Sequence, residues 1–202
     1  MPQASPMAPA KGVELNIGTT DQILEDREIL IEFKENNGKD KAFSALVKKY
    51  QQRIYWHIRK MVIDHDDTDD VLQDVFVKVY KNLDGFREAS QLYTWIYRIA
   101  TNEALTFLNK QRKRQALGLD DINNELENHL TSGVYISGDE VQMKLQRALL
   151  KLPDKQRLVF NMKYFDDMKY DEISEITGTS VGALKASYHL AVKKIEQFLS
   201  GD

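Results

Sequence analysis

Apolar residues recur three or four positions apart from Ser90 to Arg114, the spacing of one long amphipathic helix. Polar residues recur on another face of this helix, and a loop from Asp84 precedes it. Rings and cations are interleaved across the stretch, namely Phe86, Tyr93, Trp95, Tyr97, Arg98, Arg112, Lys113 and Arg114. Rings can stack on splayed bases and cations can neutralise phosphates, so the stretch is a candidate site for unpaired nucleic acid. The alternative is a purely structural role, in which the aromatic side chains are buried in the core and the basic residues at the helix end complement the helix dipole.

Charge and composition narrow the classes of function. The 202-residue chain has a net charge of -3 at pH 7, which argues against a general coat for nucleic acid but permits local contact. It has no cysteine, which excludes disulfides, thiolate zinc sites and cysteine nucleophiles. No apolar run reaches membrane-spanning length, and the first ten residues lack the pattern of an export signal. We therefore expect a cytoplasmic protein without membrane insertion.

The hydrophobic periodicity predicts an all-α fold with two small helical domains. Residues 1–19 hold most of the prolines with small residues, and they are predicted to form a disordered tail. Helical patterns cover residues 20–115 and residues 139–202, which we interpret as the two domains. Residues 116–138 contain glycines and acids but no lysine or arginine, so they are predicted to be a flexible acidic linker.

The third predicted helix runs from Val71 to Leu83 and follows the acidic loop IDHDDTDD. Its inward candidates are Leu72, Val75, Phe76, Val79 and Leu83, whereas Asp70, Gln73, Asp74 and Lys78 point away. Acidic residues at the start of a helix are stabilised by the helix dipole. Their large number here indicates a surface that binds a cationic partner about as strongly as it indicates a solvated acidic turn.

The same aspartates are similar to the motifs with which some helical enzymes hold magnesium and a diphosphate. Such chemistry requires a second set of ligands across a large cavity, and the rest of the sequence offers no such cluster. We therefore predict no catalytic residue, no metal and no cofactor.

The end of the chain has the pattern of a helix-turn-helix. The short helix YDEISEIT is followed by Gly178, by Ser180 as a cap and by the basic helix VGALKASYHLAVKKIEQFL. Its polar side chains with access to a major groove are Lys185, Ser187, His189, Lys193 and Lys194. An ordinary helical hairpin is the structural alternative.

The order of these elements resembles the extracytoplasmic-function group of bacterial sigma factors. The strings that carry the resemblance are DDVLQDVFVKVYKNL, YTWIYRIATNEAL with QRKR, LPDKQRLVFNMKYFDDMKYDEISEITGTS and VGALKASYHLAVKKI, which together span about residues 25 to 200. The resemblance implies a factor that binds core RNA polymerase and promoter DNA and directs transcription initiation. It leaves open whether an anti-sigma factor also binds.

The resemblance also implies roles for individual residues. The residues that would dock on the β′ clamp helices of polymerase are Asp70, Gln73, Asp74 and Phe76. The β subunit of polymerase would also contact the factor. The loop from Gly85 to Gln91 and the helix start after it would capture a flipped minus-ten base, through Phe86, Arg87, Ser90, Gln91, Tyr93 and Trp95. The opened strand, or the duplex edge just upstream, would be followed by Arg98, Asn102, Arg112 and Lys113. Reading of the minus-thirty-five element would fall to Ser180, Lys185, Ala186, Ser187, His189 and Lys193.

Two points remain open at this level. The commoner family pattern in the last helix has threonine and several arginines, whereas this chain has Ala183, Ser187 and Leu190. The DNA sequence that this helix recognises is therefore not defined by the resemblance. A stand-alone helix-turn-helix regulator, with the front half as a sensor or dimerisation domain, is the alternative function. Such a regulator would bind its DNA site without polymerase.

Overall fold

Helices account for all regular structure in residues 25–35, 38–116 and 140–200, the part of the chain that the computed structural model describes. The first domain holds α1 (Asp26–Lys34), α2 (Lys39–Val62), α3 (His65–Asn82), a 3₁₀ turn (Leu83–Gly85) and α4 (Leu92–Ala116). The second holds α5 (Glu140–Leu150), α6 (Asp154–Phe160), a π-helical turn (Asn161–Phe165), α7 (Tyr170–Thr177) and α8 (Val181–Ser200). The predicted all-α fold of two helical domains is confirmed. The predicted tail and all of the predicted linker beyond Ala116 lie outside the described residues.

Helix α3 begins six residues earlier than predicted, at His65 instead of Val71. The reason is a cap: the Asp64 carboxylate accepts a hydrogen bond from the Asp67 backbone N–H at 2.9 Å. Most of the expected acidic loop is therefore helical, and its acids lie at the positive end of the helix dipole.

The two domains pack against each other through a shared apolar core. One cluster of buried side chains joins residues of α1 to α4, such as Ile58, to residues of the second domain, such as Met162 and Ile173. A smaller cluster lies within the second domain and contains Ala148, Leu149, Leu152, Phe160, Ala191 and Ile195. The larger cluster positions α7 against α4, the helix that carries the candidate nucleic-acid face.

Helix α4 is buried on more sides than its predicted apolar stripe. Leu92, Ile96, Ala100, Ala104 and Leu108 are buried as their spacing predicts. Thr94, Tyr97 and Thr101 are buried as well, because α2 and α3 contact α4 from one side and α7 contacts it from another.

The second domain corrects one prediction about its core. The helical spacing of its apolar residues predicts that Phe165 is buried, yet it is 39% exposed, whereas Phe160 and Arg157 are buried. The cause is the π-helical turn, in which the Asp166 N–H bonds to the Asn161 carbonyl five residues back and so shifts Phe165 off the inward face. Further on, Gly178 adopts a left-handed conformation with φ 67° and ends α7, as its position in the sequence predicts.

Candidate polymerase and nucleic-acid interfaces

The outer face of α3 is acidic and exposed. Asp70, Gln73 and Asp74 are exposed, whereas Val71, Val75 and Val79 on the opposite face are buried. Phe76, which was expected to contact polymerase, is only 9% exposed and packs edge-on against Phe43 at 6.3 Å between ring centroids. It follows the inward period of Val75 and Val79, so its place is in the core.

A shallow apolar groove lies beside this acidic face. It has a volume of about 440 Å³ and is lined by Lys48, Gln51, Gln52, Tyr55, Trp56 and Leu72. The Tyr55 hydroxyl lies 2.8 Å from Nδ1 of His65, which ties α2 to the start of α3. Trp56 is 36% exposed because it falls outside the buried stripe formed by Tyr50, Ile54, Ile58 and Met61. That position off the stripe was a sequence signal for an exposed aromatic side chain, and our sequence prediction missed it.

The loop before α4 packs its aromatic side chain, Phe86, against Trp95 in the first turn of α4. Phe86 is buried and lies under Trp95, which is half-buried. Phe86 therefore supports the loop from below and is not itself presented to a base. Arg87 and Gln91 are exposed, and Ser90 is half-buried.

Trp95 borders a cleft between α3 and α4. The cleft has a volume of about 390 Å³ and is lined by Lys78, Asn82, Gly85, Trp95, Ile99, Asn102 and Glu103. An ion pair of 2.6 Å between Lys78 and Glu103 joins its two walls. The cleft therefore presents the indole of Trp95 and the amide of Asn102, and it lies next to the loop that exposes Arg87.

Two cations of the candidate strand-binding face of α4 contact the second domain. The Arg98 guanidinium donates a hydrogen bond of 2.6 Å to the Glu175 backbone carbonyl in α7, and Arg112 pairs with the Asp154 carboxylate at the start of α6. Tyr97 is 4% exposed and lies 4.3 Å from the half-buried Tyr93 between ring centroids. Burial raises the pKa of both hydroxyls, so both remain neutral at physiological pH. Asn102 and Lys113 remain exposed.

The outer face of α8 is exposed and carries the side chains proposed for duplex DNA. Ser180, Lys185, Ala186, His189 and Lys193 are exposed, and Ser187 is half-buried. The Ser180 hydroxyl accepts a long hydrogen bond of 3.4 Å from the Ala183 N–H, consistent with a cap. Lys194 donates to Gln156 at 3.0 Å within the same domain. Ile173, Ile176, Leu184, Ala191 and Ile195 are buried, so the helix-turn-helix has the apolar packing that its spacing predicts.

The described residues offer no metal site and no membrane span. Within residues 25–35, 38–116 and 140–200, no three acidic or imidazole side chains are grouped so that they could hold an ion. Nor does any helix there combine the length and apolarity required to cross a bilayer.

Comparison with known proteins agrees with the two-domain division. Residues 46–114 match the family model described as Sigma-70 region 2, and residues 142–195 match Sigma-70, region 4. The ECF RNA polymerase sigma-E factor of Escherichia coli (strain K12) is 31% identical over 187 residues, covering 88% of this chain and 93% of the relative. Its counterpart from Haemophilus influenzae is 29% identical over 185 residues, with 88% and 94% coverage.

Solved structures show the same fold. The structure of CnrH in complex with the cytosolic domain of CnrY superposes with a TM-score of 0.63 at 25% identity, covering 88% of this chain and 98% of that one. The sigma factor RpoE from Bartonella quintana, solved in complex with the anti-sigma factor NepR, superposes with a TM-score of 0.59 at 22% identity, covering 80% and 99%. Sequence identity over nearly the whole length of the relatives, in the same order of domains, assigns the chain to the extracytoplasmic-function family of RNA polymerase sigma factors, which bind core polymerase and direct promoter-specific initiation.

Proposed function

We propose that the two domains divide the recognition of polymerase and promoter between them. The first, residues 20–115, would dock on core polymerase through α3 and hold the opened minus-ten strand along α4. The second, residues 139–202, would read the minus-thirty-five duplex through α8, and the linker 116–138 would join them. The observation that supports this division is the separation of charge: exposed acids lie on α3, whereas exposed cations lie at the end of α4 and on α8.

Docking would use Asp70, Gln73 and Asp74 as charged and polar contacts to the β′ clamp helices. Complementary charge steers association and fixes the register of an interface. The neighbouring groove with Trp56 and Leu72 would add apolar area, because exposed aromatic side chains are common anchors in protein interfaces. Phe76 would act indirectly, by holding α3 against α2.

Strand capture would use the loop from Gly85 to Gln91 and the cleft beside Trp95. Extruding a base from a duplex costs a few kcal/mol, which stacking and hydrogen bonds in a pocket must offset. The indole of Trp95 and the amide of Asn102 line one cleft and supply these two kinds of contact. Arg87, Arg98, Arg112 and Lys113 would neutralise backbone phosphates.

Duplex recognition would use the exposed side chains of α8. Lys185 and His189 lie four residues apart and therefore on one face of the helix, with Ala186 beside them. A small side chain at that position permits close approach and apolar contact with a thymine methyl group. Ser180 would cap the helix and bring its N-terminus to a phosphate.

One binding experiment tests the proposed function. Labelled promoter DNA is mixed with the protein in the presence and absence of core polymerase, and retardation in a gel and permanganate reactivity of thymines are measured. We expect strong binding and strand opening only with core polymerase. A stand-alone regulator would instead give full binding without core polymerase and no reactive thymines.

We also propose that the protein catalyses no reaction itself and works in the cytoplasm, where polymerase meets the chromosome. The CnrH structure contains the cytosolic domain of CnrY bound to the same fold. By extension, we propose that an anti-sigma protein binds the helical domains of this chain. Co-purification with a tagged chain from its own cells tests this point.

A further inference from the structure

Helix α8 exposes a leucine on the face that is turned away from its own domain. Leu190 is 48% exposed, whereas Leu184, Ala191 and Ile195 of the same helix are buried against the other helices of the second domain. A large apolar side chain on the outer face contributes nothing to the core. Its position on the helix proposed to enter a major groove therefore requires a reason outside the fold.

Two alanines extend Leu190 into an apolar strip. Ala183, Ala186 and Leu190 follow one another at spacings of three and four residues, so they lie on one face of the helix, and all three are exposed. We call these three residues the apolar strip. A helix rises 1.5 Å per residue, so the strip is about 10 Å long and corresponds to about three base-pair steps of a duplex.

Cations surround the apolar strip. Lys185, Lys193 and Lys194 are exposed beside it, and Lys194 also donates a hydrogen bond to Gln156. Residues 181–200 contain a single carboxylate, Glu196, which lies near the end of the helix. An apolar centre with a cationic rim is complementary to a major groove, in which phosphates border the exposed edges of the bases.

The residue types of α8 restrict which base edges it can recognise. Guanine is most often recognised by arginine or lysine through two hydrogen bonds, and adenine by asparagine or glutamine. Residues 181–200 contain no arginine and no asparagine, and their one glutamine, Gln197, lies in the last turn. The side chains of the apolar strip have no donor or acceptor. The group on a base edge that an alkyl side chain recognises is the methyl group of thymine.

We propose that the apolar strip selects promoter DNA through thymine methyl groups, with Leu190 packed on one methyl group and Ala186 leaving room for another, while the lysines bind phosphates. This inference rests on the proposed role of α8 in duplex recognition, and it names the chemistry by which the helix selects its sequence. Leu190 sets the preference at its base pair, because cytosine has no methyl group at that position.

The test uses deoxyuridine, which is thymidine without the methyl group. Holoenzyme first selects its upstream element from promoter duplexes that are randomised in that region. Each thymine of the selected element is then replaced by uracil, one at a time, and competition binding measures the affinity of holoenzyme for each duplex. Leu190→Ala is compared with Leu199→Ala, because Leu199 is also an exposed leucine of α8, at 43%, but lies on the opposite side of the helix.

We expect uracil to weaken the binding of wild-type holoenzyme about fourfold at one or two positions, the value of one buried methyl group. Leu190→Ala should abolish this discrimination at one of these positions, and Leu199→Ala should retain it. In a new selection, Leu190→Arg should replace the thymine by guanine at the same base pair, because arginine binds guanine through two hydrogen bonds. Equal affinity for thymine and uracil at every position, or a selected element without thymine, would overturn the inference.

Transversions of the same base pairs separate this inference from the proposed function. A loss of affinity on transversion without a loss on uracil would overturn methyl recognition and leave the role of α8 in duplex recognition intact. No loss on either change would reject both. Affinity for core polymerase is measured for each variant as well. A lower affinity of Leu190→Ala for core polymerase, with unchanged discrimination against uracil, would assign Leu190 to a protein contact and also overturn the inference.

Discussion

The indole of Trp95 lies over the ring of Phe86, with centroids 5.2 Å apart and planes inclined at 45°. Trp95 is half-buried and also borders the cleft between α3 and α4, so it contributes to packing and is the ring that we propose for base stacking. We expect Trp95→Ala to lower the free energy of unfolding by about 2 kcal/mol, less than for a fully buried indole. Trp95→Phe should retain most of that stability. Urea denaturation of both variants measures the difference, and equal stability of Trp95→Ala and wild type would show that the ring pair does not hold the loop.

Arg87→Ala and Gln91→Ala test strand capture at the exposed part of the loop. Both side chains are solvent-exposed, so their removal should change stability by less than about 0.5 kcal/mol. We expect normal initial binding of the holoenzyme to duplex promoter DNA but slower opening, measured by permanganate reactivity of unpaired thymines. Opening at the wild-type rate in folded variants would place base capture elsewhere.

Asp70→Lys with Asp74→Lys tests polymerase docking. The double variant should lose affinity for core polymerase while its helical content and melting temperature stay close to wild type, because neither side chain is buried. Glu196→Lys, an exposed reversal on α8, is the control and should bind core polymerase normally. Binding is measured with labelled core enzyme, and undiminished affinity of the double variant would reject the docking face.

Arg112→Ala with Lys113→Ala tests phosphate binding at the end of α4. We expect weaker promoter binding for every sequence, and a salt dependence whose slope falls by about one unit for each phosphate that the variant no longer neutralises. Lys81→Ala, which removes an exposed cation from the end of α3, is the matched control. Holoenzyme binding is titrated from low to high salt. A sequence-selective loss of affinity with unchanged slope would indicate base recognition instead.

Two glycines in the helix-turn-helix should respond to alanine in opposite directions. Gly178 has φ 67°, a conformation that costs an alanine about 1 kcal/mol, so Gly178→Ala should destabilise the protein. Gly182 lies in the first turn of α8 with open space around its Cβ position, so Gly182→Ala should stabilise it by about 0.5 kcal/mol. Thermal unfolding distinguishes the signs, and destabilisation by both would indicate a different turn.

Local spacing accounts for what the sequence could predict. The stripe Leu92, Ile96, Ala100 and Ala104 identified α4, and Gly178 identified the turn between α7 and α8. The periodicity of one helix does not indicate which other helices pack against its remaining faces. The burial of Thr101 and Tyr97 could therefore not be inferred from the sequence.

Long-range polar pairs were missed for the same reason. His57 and Thr101 share a hydrogen bond of 2.9 Å across 44 residues, and nothing in either local pattern indicates the other. One signal did exist: Arg157 and Asn161 lie four residues apart in an otherwise apolar run, which places two polar side chains on a buried face.

The packing of the second domain against α2 has a consequence for biosynthesis. Arg157 reaches back 96 residues to Met61, and Asp166 reaches back 106 residues to Lys60. A ribosome releases α1 to α4 first, and domains generally fold as units in that order. A nascent chain that ends before α6 would already carry the basic end of α4 without Asp154, the partner of Arg112. The contacts between the two domains are thus the last that the growing polypeptide forms, and premature termination in the linker would release a first domain without them.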